Sequence, residues 1–230
     1  MELTSKAKIY NKDCRFLREL GDKTVDYVVT SPPFNISHKY MSYHDSLDYK
    51  DFDDLYTSFI SSVSRVLNDN GFFIVDIADM IVMDNFIVYG AEFIKEKSIN
   101  SGMHFICSFP YVAVEGSDVQ MESCIARNDL RAKFHSSCEQ ILVFGKSKTP
   151  RGVAEHMQIK PMYIYSSQKD SAFWPDELIN DLIAPFDFDG KLLLEPFMGS
   201  GTIGRRALEL GGYFVGYDVD EGTLMAYNWL

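Results

Sequence analysis

The stretch LLLEPFMGSGTIG, residues 192–204, decides the fold, because it joins a strand, a glycine-rich turn and the start of a helix. Its first residues predict a short buried strand, and Gly199, Gly201 and Gly204 follow in the spacing G-x-G-x-x-G. Glycines let the backbone turn tightly and approach a ligand, while the first helical turn offers free N–H groups. The stretch therefore predicts a nucleotide-type cofactor site at the carboxyl end of a strand.

An acidic residue follows at the distance that such a site requires. Asp218 lies 19 residues after Gly199, at the end of the next predicted strand, YFVGYD. An acid at this place hydrogen-bonds ribose hydroxyls in nucleotide-binding α/β folds. The spacing suits NAD and other adenosine cofactors equally. An NAD-dependent oxidoreductase and a non-catalytic nucleotide-binding module therefore stay open on this motif alone.

Strands and helices alternate along the rest of the chain. Apolar residues recur at helical spacing after Asp51, and PDELINDLI and TIGRRALEL are typical of helices. Seven segments predict strands: KAKIY, VDYVVT, FFIVDIA, MHFICSFPYV, EQILVFG, KLLLE and YFVGYD. The alternation predicts one α/β domain over residues 1–230, with a mostly parallel seven-stranded sheet and helices on both faces.

Composition excludes several classes of protein. Hydrophobic residues make up 46% of the 230, which indicates a globular chain. No apolar run approaches 18 residues, and the first residues lack the apolar stretch of a signal peptide, so we expect a cytoplasmic protein without a membrane span. The four cysteines form no CxxC pair, so we predict no metal site.

The net charge and the local charge give opposite indications about a nucleic-acid partner. The formal net charge of −11 argues against a nucleic-acid partner, since such binding uses Lys and Arg to neutralise phosphates. Residues 127–160, however, hold seven basic and three acidic residues, a local charge of +4. A basic face on an otherwise acidic protein is thus one interpretation, and a solvated loop surface is the other.

A second motif, VVTSPPFN at residues 28–35, ends a predicted strand in a rigid corner. Pro32 and Pro33 have a fixed φ and no N–H, so local donors are removed. Ser31 adds a hydroxyl oxygen that can accept a hydrogen bond, and Phe34 offers a flat face. An acceptor-rich slot beside an aromatic ring suits the exocyclic amino group of a flipped, stacked base.

The corner also suggests a reaction. Acceptors on the amino N–H groups favour a pyramidal nitrogen, whose lone pair can attack a methyl sulfonium directly, with orientation as the main catalytic device. No covalent intermediate is needed. The chain has no Pro-Cys dipeptide, and methylation at a ring carbon would require a thiolate nucleophile.

The two motifs together resemble the β class of amino-group DNA methyltransferases, which are circularly permuted and use S-adenosylmethionine. TSPPF is similar to their catalytic motif near the N-terminus, and LLLEPFMGSGT to their cofactor motif D-P-F-x-G-S-G-T near the C-terminus. Four further segments resemble parts of the family: NKDC, SRVLNDNGFFIV, CEQILVFGK and AFWPDELINDLI. The resemblance covers nearly the whole chain and implies a Rossmann-like methyltransferase fold.

The resemblance assigns roles residue by residue. The residues that would hold the target base are Ser31, Pro32, Pro33 and Phe34. The residues that would bind the cofactor are Asp13, Phe173, Trp174, Glu195, Phe197, Gly199, Ser200, Gly201, Thr202 and Asp218. Glu195 departs from the usual Asp by one methylene, which shifts a carboxylate without removing it.

The resemblance also implies substrate and partners. Ser before Pro-Pro-aromatic is usual for cytosine N4 in this family, while adenine N6 stays open because a hydroxyl can accept from adenine as well. Double-stranded DNA is the implied substrate, with a cognate restriction endonuclease and a homodimer as open possibilities. Loops 35–50, 113–137 and 146–171 are candidates for reading the DNA sequence. Methylation of protein glutamine, known for a related Pro-Pro-Tyr corner, is a distant alternative.

Overall fold

The computed structural model describes residues 5–35, 40–83, 86–115, 139–148, 163–167, 174–183, 185–226 and 228. Its strands are β1 (Ala7–Asn11), β2 (Val25–Thr30), β3 (Leu67–Ala78), β4 (Met80–Val82), β5 (Ile87–Tyr89), β6 (His104–Glu115), β7 (Glu139–Gly145), β8 (Tyr163–Ser167), β9 (Leu192–Glu195) and β10 (Tyr213–Asp218). Its helices are α1 (Tyr49–Val66), α2 (Gly90–Asn100), α3 (Asp176–Ile183), α4 (Thr202–Glu209) and α5 (Glu221–Ala226).

Eight of these strands form one sheet in the order β1-β10-β9-β2-β3-β7-β6-β8. Five of its pairings are parallel, and only β7 runs antiparallel to both of its neighbours, β3 and β6. The α/β class and the mostly parallel sheet are therefore confirmed. All seven predicted strands are present, and the eighth, β8, is a short edge strand within the predicted loop 146–171.

Side chains alternate across the sheet and build two hydrophobic cores. Val28 of β2 points into the core under α1 and α2, whereas Tyr27 and Val29 point into the core under α3, α4 and α5. The central strands are apolar on both faces, as expected for parallel strands that helices cover on each side. Helices on both faces are thus confirmed. None of the helices in the described ranges is long and apolar enough to cross a membrane.

The sheet order brings the two motifs together. β9 pairs with β2 and with β10, all three in parallel, so their carboxyl ends meet at one edge of the sheet. Those ends are followed by the glycine-rich loop, the Ser-Pro-Pro corner and Asp218. Segments far apart in the sequence therefore become neighbours at the place where open α/β sheets bind ligands.

Close packing at Gly204 holds α4 against β10, because a Cβ there would lie 2.3 Å from Cζ of Phe214. We expect Gly204→Ala to lower the free energy of unfolding by about 1–3 kcal/mol through overpacking. Urea denaturation measures the change. Phe214→Leu removes the clashing end of the ring, so the double variant should lose less stability than the sum of the two single losses. Strict additivity would contradict this packing account.

Candidate active site

A cavity of about 610 Å³ opens at the carboxyl ends of β2, β9 and β10, within the range typical of small-molecule sites. Most of the predicted site residues line it: Asp13, Ser31, Pro33, Trp174, Glu195, Phe197, Gly199, Ser200, Thr202 and Asp218. Residues of the Ser-Pro-Pro corner and of the glycine loop thus share one cavity, as a transfer between a base and a cofactor requires.

Three predicted residues, Pro32, Phe34 and Gly201, do not line this cavity. Pro32 is buried, and half-buried Phe34 packs against the core under α1. Gly201 precedes α4 with φ +71°. A fourth, Phe173, lies outside the described residues, so its role stays a prediction.

The glycine loop needs glycine at two positions for its shape. Gly199 has φ +47° and Gly201 has φ +71°, both in the left-handed region that side chains with a Cβ rarely adopt. The Gly201 N–H donates to the carbonyl of Met198 at 2.7 Å, which closes the turn before the helix. The turn directs the start of α4 toward the cavity, where its free N–H groups can face a ligand.

Asp218 is the acid at the end of β10, and the protein backbone fixes both of its oxygens. Oδ2 accepts the Gly199 N–H at 2.8 Å, and Oδ1 accepts the Asp220 N–H at 2.8 Å. Burial raises the pKa of Asp218 above its ordinary 3.8, with these backbone hydrogen bonds opposing the rise. Each carboxylate oxygen has a further lone pair, so the group can still accept ribose hydroxyls.

Glu195 adds a second carboxyl to the cavity lining, and this one is buried. It is 4% exposed, and its Oε2 has no hydrogen-bond partner among the described residues. Burial raises its pKa well above the ordinary 4.5, opposed in part by a hydrogen bond from the Gly204 N–H. The positive charge of Arg205 also lowers the pKa of Glu195. The Arg205 guanidinium donates to the carbonyl of Ser200. A cationic ligand in the cavity would stabilise the ionised form of Glu195.

Asp13 and Trp174 complete the described walls. The Asp13 carboxylate binds its neighbour Arg15 through the backbone N–H and Nε, each at 2.8 Å, and through an ion pair at 2.6 Å. The Trp174 indole N–H donates to Oδ2 of Asp76 at 2.9 Å. That bond fixes the plane of the indole ring beside the Ser-Pro-Pro corner.

The corner itself is held from behind by α1. The hydroxyl of buried Tyr56 donates to the carbonyl of Pro33 at 2.8 Å. One carbonyl that the sequence offered as an acceptor is therefore already engaged by the protein. Ser31 lines the cavity, and of the four residues of the corner it is the one with a side-chain hydrogen-bond acceptor.

Asp76, near the end of β3, is a site residue that sequence reasoning missed. The Ser31 hydroxyl donates to its Oδ2 at 3.4 Å, and Trp174 donates to the same oxygen. Burial raises the pKa of Asp76, while hydrogen bonds with Glu139, Trp174 and Ser31 oppose the rise. A bond between the Asp76 and Glu139 carboxyls requires a shared proton. One signal in the sequence could have identified Asp76. Burying an acid inside the apolar strand FFIVDIA costs free energy unless the acid has hydrogen-bond partners.

Fold and cavity together define an α/β enzyme of the methyltransferase type. The family model for DNA methylases matches residues 25–228, so the chain belongs to the DNA methylase family with N6 and N4 amino-group specificity. The predicted amino-group methyltransferase class is thereby confirmed, and S-adenosylmethionine, the predicted cofactor, is the one that this family uses.

Relatives and solved structures agree with this assignment. Type II methyltransferase M.MjaI of Methanocaldococcus jannaschii is 22% identical over 96% of this chain and 89% of its own length. M.BamHI of Bacillus amyloliquefaciens is 25% identical over 94% of this chain and 55% of its own length. PvuII DNA methyltransferase (cytosine-N4-specific) superposes with a TM-score of 0.74 at 18% identity, covering 98% of this chain and 86% of that structure.

A putative DNA modification methylase from Thermus thermophilus, solved with S-adenosyl-L-methionine, superposes with a TM-score of 0.69 at 19% identity. The alignment covers 96% of this chain and 91% of that structure. These structural likenesses show that the fold is shared.

We expect the binding of S-adenosylmethionine to release protons. Glu195 and Asp218 both have raised pKa values, and a bound sulfonium cation favours their ionised forms. Affinity should therefore increase as the pH rises above the ordinary 4.5 and 3.8 of these two groups and through their raised pKa values. Calorimetry in two buffers with different ionisation enthalpies measures the release. S-adenosylhomocysteine, which lacks the sulfonium charge, and Glu195→Gln should each release less. A binding enthalpy independent of the buffer would contradict the expectation.

Proposed function

We propose that this enzyme methylates the exocyclic N4 of cytosine within a specific sequence of double-stranded DNA. The observation that carries the proposal is that Ser31 lines the same cavity as Asp218 and Glu195. A hydroxyl there can accept a hydrogen bond from the amino group of a flipped base. The cytosine-N4 specificity of the PvuII enzyme, which shares the fold, supports the choice of base.

The proposed chemistry relies on position rather than on a covalent intermediate. S-adenosylmethionine, when bound, supplies the methyl group on a sulfonium centre. Ser31 donates its proton toward Asp76, so the lone pairs of its oxygen would accept from the amino group. Orientation of the amino nitrogen toward the methyl carbon then provides most of the rate enhancement. The nitrogen sheds a proton after attack, and the Ser31–Asp76 pair is the proposed route for it.

Cofactor-binding roles are proposed for the residues around the glycine loop. Asp218 would accept the ribose hydroxyls, and Glu195 would face the positively charged methionine end. Phe197, Gly199, Ser200 and Thr202 would line that end, with Asp13 and Trp174 as side walls. The support is their common cavity and Oε2 of Glu195, which has no hydrogen-bond partner among the described residues.

We expect Asp76→Asn to lower kcat about tenfold or more, because an amide cannot accept a proton as a carboxylate does. In the wild type, kcat should rise as the pH rises through the raised pKa of Asp76, since an already protonated acid cannot take up a further proton through Ser31. The variant should lose that rise. The measurement is the pH profile of kcat at saturating cofactor and DNA. A wild-type profile retained in Asp76→Asn would contradict the role.

DNA reading is proposed for the three long segments named from the sequence, 35–50, 113–137 and 146–171. The last two are supported by the local charge of +4 over residues 127–160, since phosphate contacts need basic side chains. Most of 113–137 and 146–171 lies outside the described residues. A type II restriction–modification system with a cognate endonuclease is the proposed context, on the names of the relatives. The homodimer and the cytoplasmic location stay predictions.

Expression in a bacterial host that lacks DNA methylation tests the proposal in a cell. Genomic sequencing that detects modified bases should find N4-methylcytosine at every copy of one short sequence. The slower Ser31→Ala variant is the control, and at equal expression its genome should carry the modification at a much smaller share of those sites. N6-methyladenine at one sequence would overturn the choice of base, while an unmodified genome with soluble protein would overturn the proposed function.

A further inference from the structure

Asp220, two residues beyond Asp218, has no role in the proposed chemistry. It is nevertheless a buried carboxylate, 2% exposed, that accepts several hydrogen bonds. Its carboxylate accepts the Met41 N–H at 2.8 Å, the Ser42 N–H at 3.0 Å and the Ser42 hydroxyl at 2.5 Å. It also accepts the Thr223 N–H and hydroxyl, at 3.4 and 2.9 Å. Burial alone would raise the pKa of Asp220, but these bonds hold it below 3.8.

Residues 40–47, which we call the bracket, connect Asp220 to the Ser-Pro-Pro corner. At the other end of the bracket, the Asn35 N–H donates to buried Asp45 at 3.0 Å. The Asn35 side chain donates to the Leu47 carbonyl at 2.9 Å and accepts the Leu47 N–H at 2.5 Å. Asn35 directly follows Phe34 and has φ +59°, a strained conformation that needs such support.

The bracket also forms part of the cavity wall, through Tyr40, Met41, Tyr43 and Leu47. Hydrogen bonds also connect Asp220, which holds the bracket, to the glycine loop. Asp218 accepts the Gly199 N–H with one oxygen and the Asp220 N–H with the other. A Cβ on Gly222 would lie 2.7 Å from Cβ of Met41, so the bracket packs tightly on the start of α5. Hydrogen bonds therefore run from the glycine loop through Asp218, Asp220 and the bracket to Asn35.

We propose that Asp220 is a positioning residue, which couples occupancy of the cofactor cavity to the geometry of the Ser-Pro-Pro corner. A cofactor that contacts Asp218 and the inner side of the bracket stabilises the bracket, and the bracket holds Asn35 and the corner ready for the base. The inference rests on the proposed function, because it takes the cofactor to occupy this cavity. Coupling of this kind is reciprocal, so DNA in the corner should also tighten cofactor binding.

Hydrogen exchange with and without S-adenosylhomocysteine tests the coupling without knowledge of the DNA sequence. In the wild type, the ligand should slow exchange in peptides that cover 195–204, 40–47 and 30–35, by about fivefold or more in the last. In Asp220→Asn, an amide N–H₂ faces a backbone donor of the bracket. Slowed exchange should then be confined to 195–204, while calorimetry still detects ligand binding.

Two further variants keep the test decisive. Ser42→Ala removes only the hydroxyl bond to Asp220 and should reduce the slowing at 30–35 in part, even if Asp220→Asn fails to fold. Asp26→Ala is the matched control, because Asp26 also accepts several bonds, from Leu192 and Asn68, at the other end of the sheet. It should lower stability and leave the ligand effect at 30–35 intact.

The outcomes separate this inference from the proposed function. Undiminished slowing at 30–35 in both Asp220→Asn and Ser42→Ala, or no slowing there in a wild type that binds the ligand, would overturn the inference alone. A wild type that binds no S-adenosylhomocysteine would overturn the proposed cofactor site, and the coupling with it.

Discussion

Ser31→Ala should lower kcat for DNA methylation on the order of a hundredfold, the low end of what a positioned proton-transfer group contributes. The hydroxyl is the acceptor that orients the amino nitrogen, and through Asp76 it is the first step of the proposed proton route. The dissociation constant for S-adenosylhomocysteine should change little, because the hydroxyl acts on the base and not on the cofactor. Steady-state kinetics and calorimetry give the two quantities separately.

A serine far from the cavity provides the control for Ser31→Ala. Ser5, whose hydroxyl donates to the carbonyl of Ala7 near the start of β1, is exposed, and Ser5→Ala should leave kcat unchanged. Ser31→Ala enzyme with wild-type kcat would show that the hydroxyl takes no part in the reaction. The corner would then act through its backbone alone.

Asp218→Ala should raise the dissociation constant for S-adenosylhomocysteine about a hundredfold, roughly 3 kcal/mol. A half-buried carboxylate that accepts two ribose hydroxyls contributes an energy of that order, since hydrogen bonds to charged groups are the strong ones. The substitution also frees the Gly199 N–H, which loosens the glycine loop. At saturating S-adenosylmethionine most of kcat should return, because the lost interaction stabilises ground state and transition state alike.

Asp187→Ala is the control for this change in affinity. Its carboxylate accepts the Asp189 N–H at 3.1 Å in a turn before β9, outside the cavity lining. Affinity should stay within about threefold of the wild type. If Asp218→Ala bound S-adenosylhomocysteine as tightly as Asp187→Ala does, the ribose role of Asp218 would be wrong.

Local patterns were sufficient to predict the parallel part of the fold. Strands such as VDYVVT and YFVGYD are apolar on both faces, and the glycine loop between β9 and α4 has a distinctive spacing. The boundaries of the helices and the shortest strands were harder to predict. Residues 84–97 look helical in sequence, but α2 begins at Gly90, and the β4–β5 pair precedes it. Short strands of three residues carry too little periodicity to be recognised.

Site residues could be predicted from the sequence where a residue with suitable chemistry stands at the end of a predicted strand. Asp218 and Ser31 both follow strands that end at the same edge of the sheet, and both reach the cavity. Asp76, Tyr56 and Asp220 were not predicted, because their roles depend on partners 23 to 179 residues away in sequence. Such hydrogen bonds can be predicted only when the order of the strands in the sheet is known, and that order cannot be read from the local patterns of a single sequence.

The most direct test of the central claim is nucleoside mass spectrometry. Purified protein is incubated with S-adenosylmethionine and unmethylated double-stranded DNA, and the DNA is digested to nucleosides. The account predicts N4-methylcytosine, formed by the wild type and on the order of a hundredfold more slowly by Ser31→Ala. N6-methyladenine would contradict the assignment of the base. Methylation at a ring carbon, or none by protein that binds the cofactor, would contradict amino-group transfer at the Ser-Pro-Pro corner.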